Sequence, residues 1–391
     1  MLSVQKIFAQ AKRGRVLIPN EAMESDEQVS EEQSDKGMVR QGRLVLQILN
    51  SPDPGGVLAL SHSIARGLAP HGFVLDTAFV APQVNLSRWT KVKGSLAILR
   101  RIVSGGHEAV IAYQPWPSIL VGIAGLLVPG TRRIVHQTTL SNEMQAPIRW
   151  LGRFLGSVGL YPVNIVNSAS TGATFDDYPS AYRRRLKLIE HGVERPLVTR
   201  SRSESLQRYG VPDDRTILLH TGRLSEEKNQ DVLIRALALL PHCRLVVAGE
   251  GDRREDLIAL AEQLGVNDRV HLLGALPHAE AVQLYAIADL FVFPSLAETF
   301  GISAVEATLL GLPCLVSDIP TLREVLTIDG TSPVTFIPPR DVNAWAEHLK
   351  RWSEQPPERA ALDHFAQRIA QRYSEGRMIQ AYVELLNAPR R

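Results

Sequence analysis

Two cysteines in 391 residues, Cys243 and Cys314, are too few for a disulfide scaffold, and each sits in an apolar, strand-like stretch (CRLVVAG and GLPCLVS). Both read as reduced core residues rather than as metal ligands or a bridge. Long hydrophobic runs are also missing. The longest, Ile119 to Val128, is broken by Gly122 and Gly125 and falls short of the ~20 residues a membrane span needs. No apolar segment with a small-residue cleavage site opens the chain, which argues against secretion and for a cytoplasmic protein. No Gly-x-Gly-x-x-Gly follows the first strand-like run of either half, which removes a dinucleotide oxidoreductase. No Asp-x-Asp pair stands at a strand end, and the adjacent Asp176 and Asp177 beside Tyr178-Pro179 make a poor metal site. Aromatic and basic residues do not interleave as in nucleic-acid binders, so no nucleic-acid partner is expected.

What remains is the composition of a soluble globular protein, 45% hydrophobic and 21% charged, long enough for two domains. The net charge of +2 hides an asymmetry. Residues 43–195 hold 16 Lys/Arg against 8 Asp/Glu, whereas residues 196–391 hold 21 against 26. A basic first half attracts anionic partners, and the anionic face of a membrane is the expected one. Arg100-Arg101, Arg132-Arg133 and Arg183-Arg184-Arg185 are the candidate contacts. Residues 1–42 differ again: Glu21 to Lys36 is acidic and poor in apolar groups, so the expectation is a disordered tail.

From Arg43 onward, strand-like apolar runs alternate with helical patterns. They lie at 43–50, 74–80, 109–113, 133–136 and 162–167, and the rhythm restarts at 216–221, 244–248, 269–272, 290–293, 313–316 and 334–337. Alternation of this kind implies βαβ units and parallel sheets covered by helices. The fold expected is α/β: two doubly wound, Rossmann-like domains, 43–197 and 198–370, facing a central cleft. The last stretch, 371–391, reads as a helix packing back across the domain junction.

Two segments concentrate the chemistry. In His220-Thr221-Gly222-Arg223-Leu224-Ser225-Glu226-Glu227-Lys228-Asn229, Gly222 follows a strand, and Arg223 and Lys228 place two cations at its C-terminal edge. A diphosphate leaving group needs such cations, because negative charge grows on it as its bond breaks. In Glu298-Thr299-Phe300-Gly301-Ile302-Ser303-Ala304-Val305-Glu306, one carboxylate lies in a loop and the other in an apolar helix. A helix opening near Gly301 can hold an anion at its free N–H groups. Glu306 sits where a carboxylate is partly buried and must have a partner.

The two segments resemble the signature of the GT-B fold, GT4-type (group 1) retaining glycosyltransferases. The likeness continues through Gly249-Glu250-Gly251, Gly274, Ala288-Asp289 and Gly311-Leu312-Pro313, and is weaker over 43–195. It implies a donor-binding second half and an acceptor-binding first half. Arg223 and Lys228 would hold the diphosphate of a nucleotide-diphosphate sugar, and the backbone at Gly301 and Ile302, next to Phe300, its distal phosphate. Glu298 would hold the sugar and Glu306 the ribose. Gly55 and Gly56 match the family's glycine loop near the phosphates. His136, with Gln137 and Thr138 as alternative registers, would stand near the anomeric carbon. Gln114 and Trp116 would face the acceptor, and His191 precedes the Gly192-Val193 that closes this domain. The 319–324 segment lacks the glycines many relatives carry before Glu324. The resemblance implies a hexosyl transfer with no metal and no cofactor, to a glycan or polyprenyl-phosphate-linked acceptor, on the inner face of the membrane. A nucleotide-sugar epimerase of the same architecture is the alternative.

Overall fold

A computed structural model describes residues 42–389, apart from 53–54, 82–87 and 356. The expected disordered tail therefore lies, except for Gly42, outside the described residues. Twelve strands form two sheets. The first contains β1 (Arg43–Leu49), β2 (Phe73–Phe79), β3 (Ala109–Tyr113), β4 (Arg132–His136), β5 (Val163–Val166) and β6 (Leu186–Leu188), in the order β2-β1-β3-β4-β5-β6. The second contains β7 (Thr216–Thr221), β8 (Cys243–Ala248), β9 (Val270–Leu272), β10 (Leu290–Phe293), β11 (Cys314–Ser317) and β12 (Thr335–Ile337), in the order β12-β11-β10-β7-β8-β9. Every pairing within them is parallel.

Parallel strands covered on both faces must be apolar throughout, and AVIAY of β3 and LFVF of β10 are buried at every position. Strand order reverses between β1 and β3 in the first sheet and between β7 and β10 in the second. Ligands bind at the strand ends beside such a reversal. The Gly55 turn follows β1, the Gly222–Lys228 segment follows β7, and Pro294–Glu298 follows β10, so the sequence motifs lie at the two reversals.

Departures from the expected elements are small and have local causes. The strand expected at 269–272 begins one residue later, because Arg269 turns inward to donate to the carbonyls of Leu237, Leu240 and Cys243. Asp341 caps the Val342–Glu354 helix by accepting from Ala344 N at 3.0 Å, and Trp345 and Leu349 bury that helix against the second core.

The C-terminal stretch forms two helices, Arg359–Arg372 and Glu375–Asn387. The first packs on the second half, where Phe365 and Ile369 join its core. The second crosses to the first half, where Met378, Ile379, Tyr382, Leu385 and Leu386 complete the core built on Val45, Ile111 and Ile134. Burying each of these side chains contributes about 1.5–3 kcal/mol. Gly67 is required by the contact, since a Cβ there would lie 2.4 Å from Ile379.

Members of all three arginine clusters expected to meet a membrane are held by the fold, Arg183 and Arg185 by donating to the Tyr178 and Ala181 carbonyls. Arg133 is buried and reaches the Leu160, Val128 and Thr131 carbonyls. Arg132 donates to the Leu385 carbonyl at 2.7 Å and to that of Ala388, and Arg101 pairs with Asp76. These side chains are structural, which corrects that expectation for them.

Candidate functional site

The β7–β10 reversal brings the two motif segments together. Leu296 N donates to the Glu227 carbonyl at 2.7 Å, tying the loop after β10 to the loop after β7. Lys228 Nζ then lies 2.5 Å from Glu298 Oε1. Glu298 also accepts from Ser295 Oγ at 2.8 Å, and the Lys228 ammonium stands 5.8 Å from the Phe293 ring centroid. Both charged side chains are mostly shielded, 16% and 10% exposed, so losing either would strand the other's charge. Arg223 is different: its side chain is two-thirds exposed and pairs with Glu227 at 2.6 Å.

The backbone beneath Arg223 is rigid. Buried His220 bonds the Val292 carbonyl through Nδ1 and meets Gln230 through Nε2, and Gln230 donates to the Arg223 carbonyl at 2.7 Å. Burial pulls the His220 imidazole down to about 4, so it serves as a neutral hydrogen-bonding spacer. The loop after β8 packs so closely on this one that a Cβ at Gly249 would lie 1.8 Å from the Gly222 carbonyl oxygen. Only glycine permits that approach. The role expected of Gly222, a tight turn, thus depends on Gly249 across the loop.

Gly301 takes a left-handed φ of 85° at the N-cap of the Ile302–Leu309 helix, leaving the first N–H groups of that helix uncapped by any side chain. Across from it, the Gly56–Leu68 helix starts after Gly55, and a Cβ at Gly56 would lie 3.4 Å from Ile302 Cδ1. Two helix N-termini, one from each half, therefore converge. Such ends carry partial positive charge and free donors, the arrangement that attracts phosphate.

Glu306 is buried in the Ile302–Leu309 helix. Its Oε1 lies 2.7 Å from His278 Nε2, and its Oε2 accepts from Tyr285 at 3.0 Å. The partner that burial demanded is thus present within the chain. The Glu306 carboxylate raises the His278 imidazole above its ordinary value by hydrogen bonding, against the opposing effect of burial.

A cavity of about 750 Å³ opens between the halves. Arg223, Glu227, Asp252, Glu298, Thr321 and Arg340 line one side, and Asn142, Glu143, Ser170 and Thr174 the other. Glu143 was not singled out by the motifs. Burial, with repulsion from Glu227 and Glu298, raises its carboxyl despite the opposing Lys228. A signal was available: it is the single acid between Glu108 and Asp176.

Other expected residues lie away from this cavity. His136, at the end of β4, is buried and meets Tyr382 of the last helix at 3.4 Å, with the His191 ring 5.6 Å away. His191 in turn meets Phe300 edge-on at 4.9 Å and Asn167 Nδ2 at 2.8 Å. Burial depresses both imidazoles, His191 to about 3. His136 thus lies behind His191, which packs on Phe300, and is not among the residues lining the cavity. Gln137 turns inward to Asn164 and Tyr182, while Thr138 keeps an unbonded hydroxyl. Gln114 bridges the ends of β3 and β1 by accepting from Asn50 N at 2.9 Å, at a strained φ of 71°. Trp116 donates to Ser95 at 3.1 Å and packs on the Arg88–Ser104 helix. Packing accounts for both side chains.

The halves are clamped beside the cavity. Thr299 O accepts from Ser168 Oγ and Thr171 Oγ1 at 2.9 and 3.1 Å. Glu324 accepts from the amides of Ala169 and Ser170 at 2.6 and 2.7 Å, where a helix N-terminus favours a carboxylate. The 319–324 segment therefore divides its work, Ile319, Pro320 and Thr321 lining the cavity and Glu324 locking the halves. Among the described residues, no three His, Cys, Asp or Glu side chains group as a metal ion would require, and no helix is long and apolar enough to cross a membrane.

Comparison with known proteins follows this geometry. Residues 201–369 match the family described as glycosyl transferases group 1. Over 212 residues the chain is 32% identical to the D-inositol 3-phosphate glycosyltransferase of Mycolicibacterium smegmatis, covering 52% of this chain and 48% of that one. It is 34% identical over 241 residues to the protein of that name from Thermobifida fusca, covering 57% and 55%. The chain thus spans about half the length of the curated relatives it matches. Among solved structures, Anabaena Alr3699/HepE in complex with UDP and glucose superposes with a TM-score of 0.74 at 20% identity, covering 88% of this chain and 99% of that one. WaaG, a glycosyltransferase involved in lipopolysaccharide biosynthesis, gives 0.67 at 19%, covering 88% and 100%. Both likenesses extend over the first half, which the family match leaves out, and they identify the fold as GT-B.

Proposed function

We propose, from the match of residues 201–369 to the group 1 glycosyltransferases, that the chain moves a sugar from a nucleotide-diphosphate sugar to a hydroxyl group of an acceptor, with retention at the anomeric carbon. The observation that carries the reading is the shielded Lys228–Glu298 pair, beside an exposed Arg223 and two converging helix N-termini. In this reading the diphosphate lies between the Gly55–Gly56 turn and Gly301–Ile302, with Lys228 and Arg223 on its oxygens. Phe300 fixes the turn through its contacts with His191 and Tyr373. Glu298 accepts from sugar hydroxyls, and Glu306 takes the ribose by exchanging one of its present partners.

The reaction breaks the bond between the anomeric carbon and the diphosphate oxygen. A bond to the acceptor oxygen forms on the same face, and the acceptor proton passes to the departing diphosphate. Lys228, Arg223 and the helix N-terminus stabilise the charge that grows on that leaving group. No step is routed through a metal or a cofactor. His136 acts as a positioning group through His191, which packs on Phe300. The acceptor, a glycan or polyprenyl-phosphate-linked sugar at the cytoplasmic face of a membrane, enters from the Asn142–Glu143 side. A hexose on a uridine diphosphate is the first donor to try, because the Anabaena neighbour is a complex with UDP and glucose. The epimerase alternative finds no support among the relatives and neighbours given above.

The test is a thermal-shift screen against nucleotide-diphosphate sugars. One of them is expected to raise the melting temperature of the wild type and to lose that effect in Lys228→Ala. A shift that survives the substitution would overturn the assignment of the diphosphate site. Nuclear magnetic resonance of the donor incubated alone separates transfer from epimerisation, since an epimerase converts its substrate without an acceptor.

A further inference from the structure

The wall that the first half gives to the cavity carries no cation. Leu140, Asn142, Glu143, Ser170 and Thr174 form it. Two of its polar side chains are already engaged: the Ser170 hydroxyl donates to Glu324 at 2.6 Å, and the Thr174 hydroxyl to the Thr171 carbonyl at 2.8 Å. Asn142 and Glu143 differ, since neither side chain has a hydrogen-bond partner among the described residues. Their turn is nevertheless fixed. Buried Ser141 anchors it by donating from N to Thr174 Oγ1 at 3.2 Å and from its hydroxyl to the Thr174 carbonyl. Glu143 N closes the turn on the Leu140 carbonyl at 3.1 Å. A carboxylate and an amide are thus held next to each other on the first half's face of the cleft.

Glu143 answers to the second half rather than to the arginines of its own. Arg153 pairs with Asp177, whereas the charges that act on Glu143 are Glu227, Lys228 and Glu298 across the cleft. Around the whole cavity five carboxylates, Glu143, Glu226, Glu227, Asp252 and Glu298, meet two guanidinium groups, Arg223 and Arg340. Arg223 is paired with Glu227, and the neighbouring Lys228 with Glu298. A bound diphosphate would draw on those same cations and add its own negative charge. An incoming group therefore meets a negative field, focused by the walls of the cleft. A phosphate or carboxylate beside Glu143 is repelled, and nothing on the first-half wall neutralises it. A hydroxyl is welcome there: it donates to the carboxylate or to the Asn142 oxygen and accepts from the Asn142 amide.

We propose that Glu143, together with Asn142, selects the acceptor by holding hydroxyl groups of a sugar that carries no anionic group on the ring being extended. The inference rests on the transfer reaction proposed above and narrows its acceptor. Glu143 takes no proton in it. The acceptor proton still passes to the departing diphosphate, and the carboxylate fixes which hydroxyl points at the anomeric carbon. A phosphate elsewhere on the acceptor is compatible with this as long as it stays outside the cavity.

The test starts from the full chain and the nucleotide-diphosphate sugar that raises its melting temperature, a shift that Glu143→Gln is expected to keep. Transfer is then followed by mass spectrometry with the methyl glycosides of glucose, galactose, mannose and N-acetylglucosamine, each beside its 6-phosphate. At least one neutral glycoside is expected to accept the sugar, with kcat/KM about tenfold or more above that of its phosphorylated counterpart. Glu143→Gln should raise KM for that acceptor about tenfold, as loss of a hydrogen bond to a charged group requires, with kcat changed less. Glu143→Lys should narrow or invert the preference for the neutral member, which a merely structural role of Glu143 would not produce. Melting temperatures equal to the wild type without ligand verify that both variants fold. Equal or better transfer to the phosphorylated member by the wild type would overturn the proposal, as would an unchanged acceptor KM in Glu143→Gln. Transfer to none of the neutral glycosides, with the donor shift intact, would overturn it and leave the donor reading standing. Absence of any donor shift in the wild type would instead sink the transfer reading, and this inference with it.

Discussion

The two halves share one topology but manage their surfaces differently. Of the large hydrophobic side chains exposed among the described residues, thirteen lie before residue 190 and two, Leu197 and Leu239, after it. The second half also pairs its charges locally, as in Arg200 and Arg208 on Glu280 or Arg202 on Asp213 and Asp289. The contrast teaches that two sheets of the same doubly wound kind can carry different surfaces, with the difference held by the helix faces and loops rather than by the sheets.

The contrast can be broken at the donor side first. Lys228→Ala removes the cation nearest Glu298 and leaves that carboxylate shielded and unpaired. Turnover is expected to fall about a hundredfold or more, measured as nucleotide diphosphate released once an acceptor is in hand. Full activity would mean that the second half does not bind the diphosphate where proposed.

Next comes Glu306→Ala, which strips Tyr285 and His278 of their shared acceptor. A stability loss of about 1–3 kcal/mol in urea unfolding is expected from the buried tyrosine hydroxyl, together with weaker binding of UDP by calorimetry. Unchanged UDP affinity would remove Glu306 from the ribose site.

Glu324→Ala sharpens the comparison at the seam between the halves. It deletes the carboxylate that holds the amides of Ala169 and Ser170. A destabilisation of about 1–2 kcal/mol is expected, with faster hydrogen exchange at residues 168–174. Protection equal to the wild type would show that the remaining contacts hold this segment without Glu324.

The smallest effect concerns pH. Glu306 raises the folded-state value of His278 above its ordinary one. The stabilisation from this pair is therefore full below about pH 6.5, the unfolded value. It is lost as pH rises through the higher folded value. If the ribose competes with His278 for Glu306, UDP affinity should rise over that same window. His278→Ala should bind UDP with a flatter pH profile, and an identical profile would refute the competition.

Much of the fold was legible because buried parallel strands must be continuous apolar runs, and LFVF or RLVVA admits few other readings. Arg269 was not legible: nothing local announces that a charged side chain will fold inward to close three carbonyls. The site divides in the same way. Glu306 was legible as a buried carboxylate because the helix around it is apolar, but its partners lie 21 and 28 residues away in sequence, on elements whose approach only the packing defines. Glu143 carried a weak signal, isolation in a basic stretch, that becomes meaningful only once the cleft places it opposite Lys228.

By itself the sequence determined the architecture and where the motif residues of the second half would fall, because motif spacing there follows from strand–loop–helix geometry within one short segment. The tertiary structure alone decided which residues meet across the halves. It put His136 behind His191 rather than on the cavity wall, gave Arg132 and Arg133 to the fold, and made Glu324 a clamp. It also left Trp150 and Phe154 facing outward. Such outcomes depend on which helix covers which face, and that is settled by the summed packing of the whole core, not by the residues near each side chain in the chain.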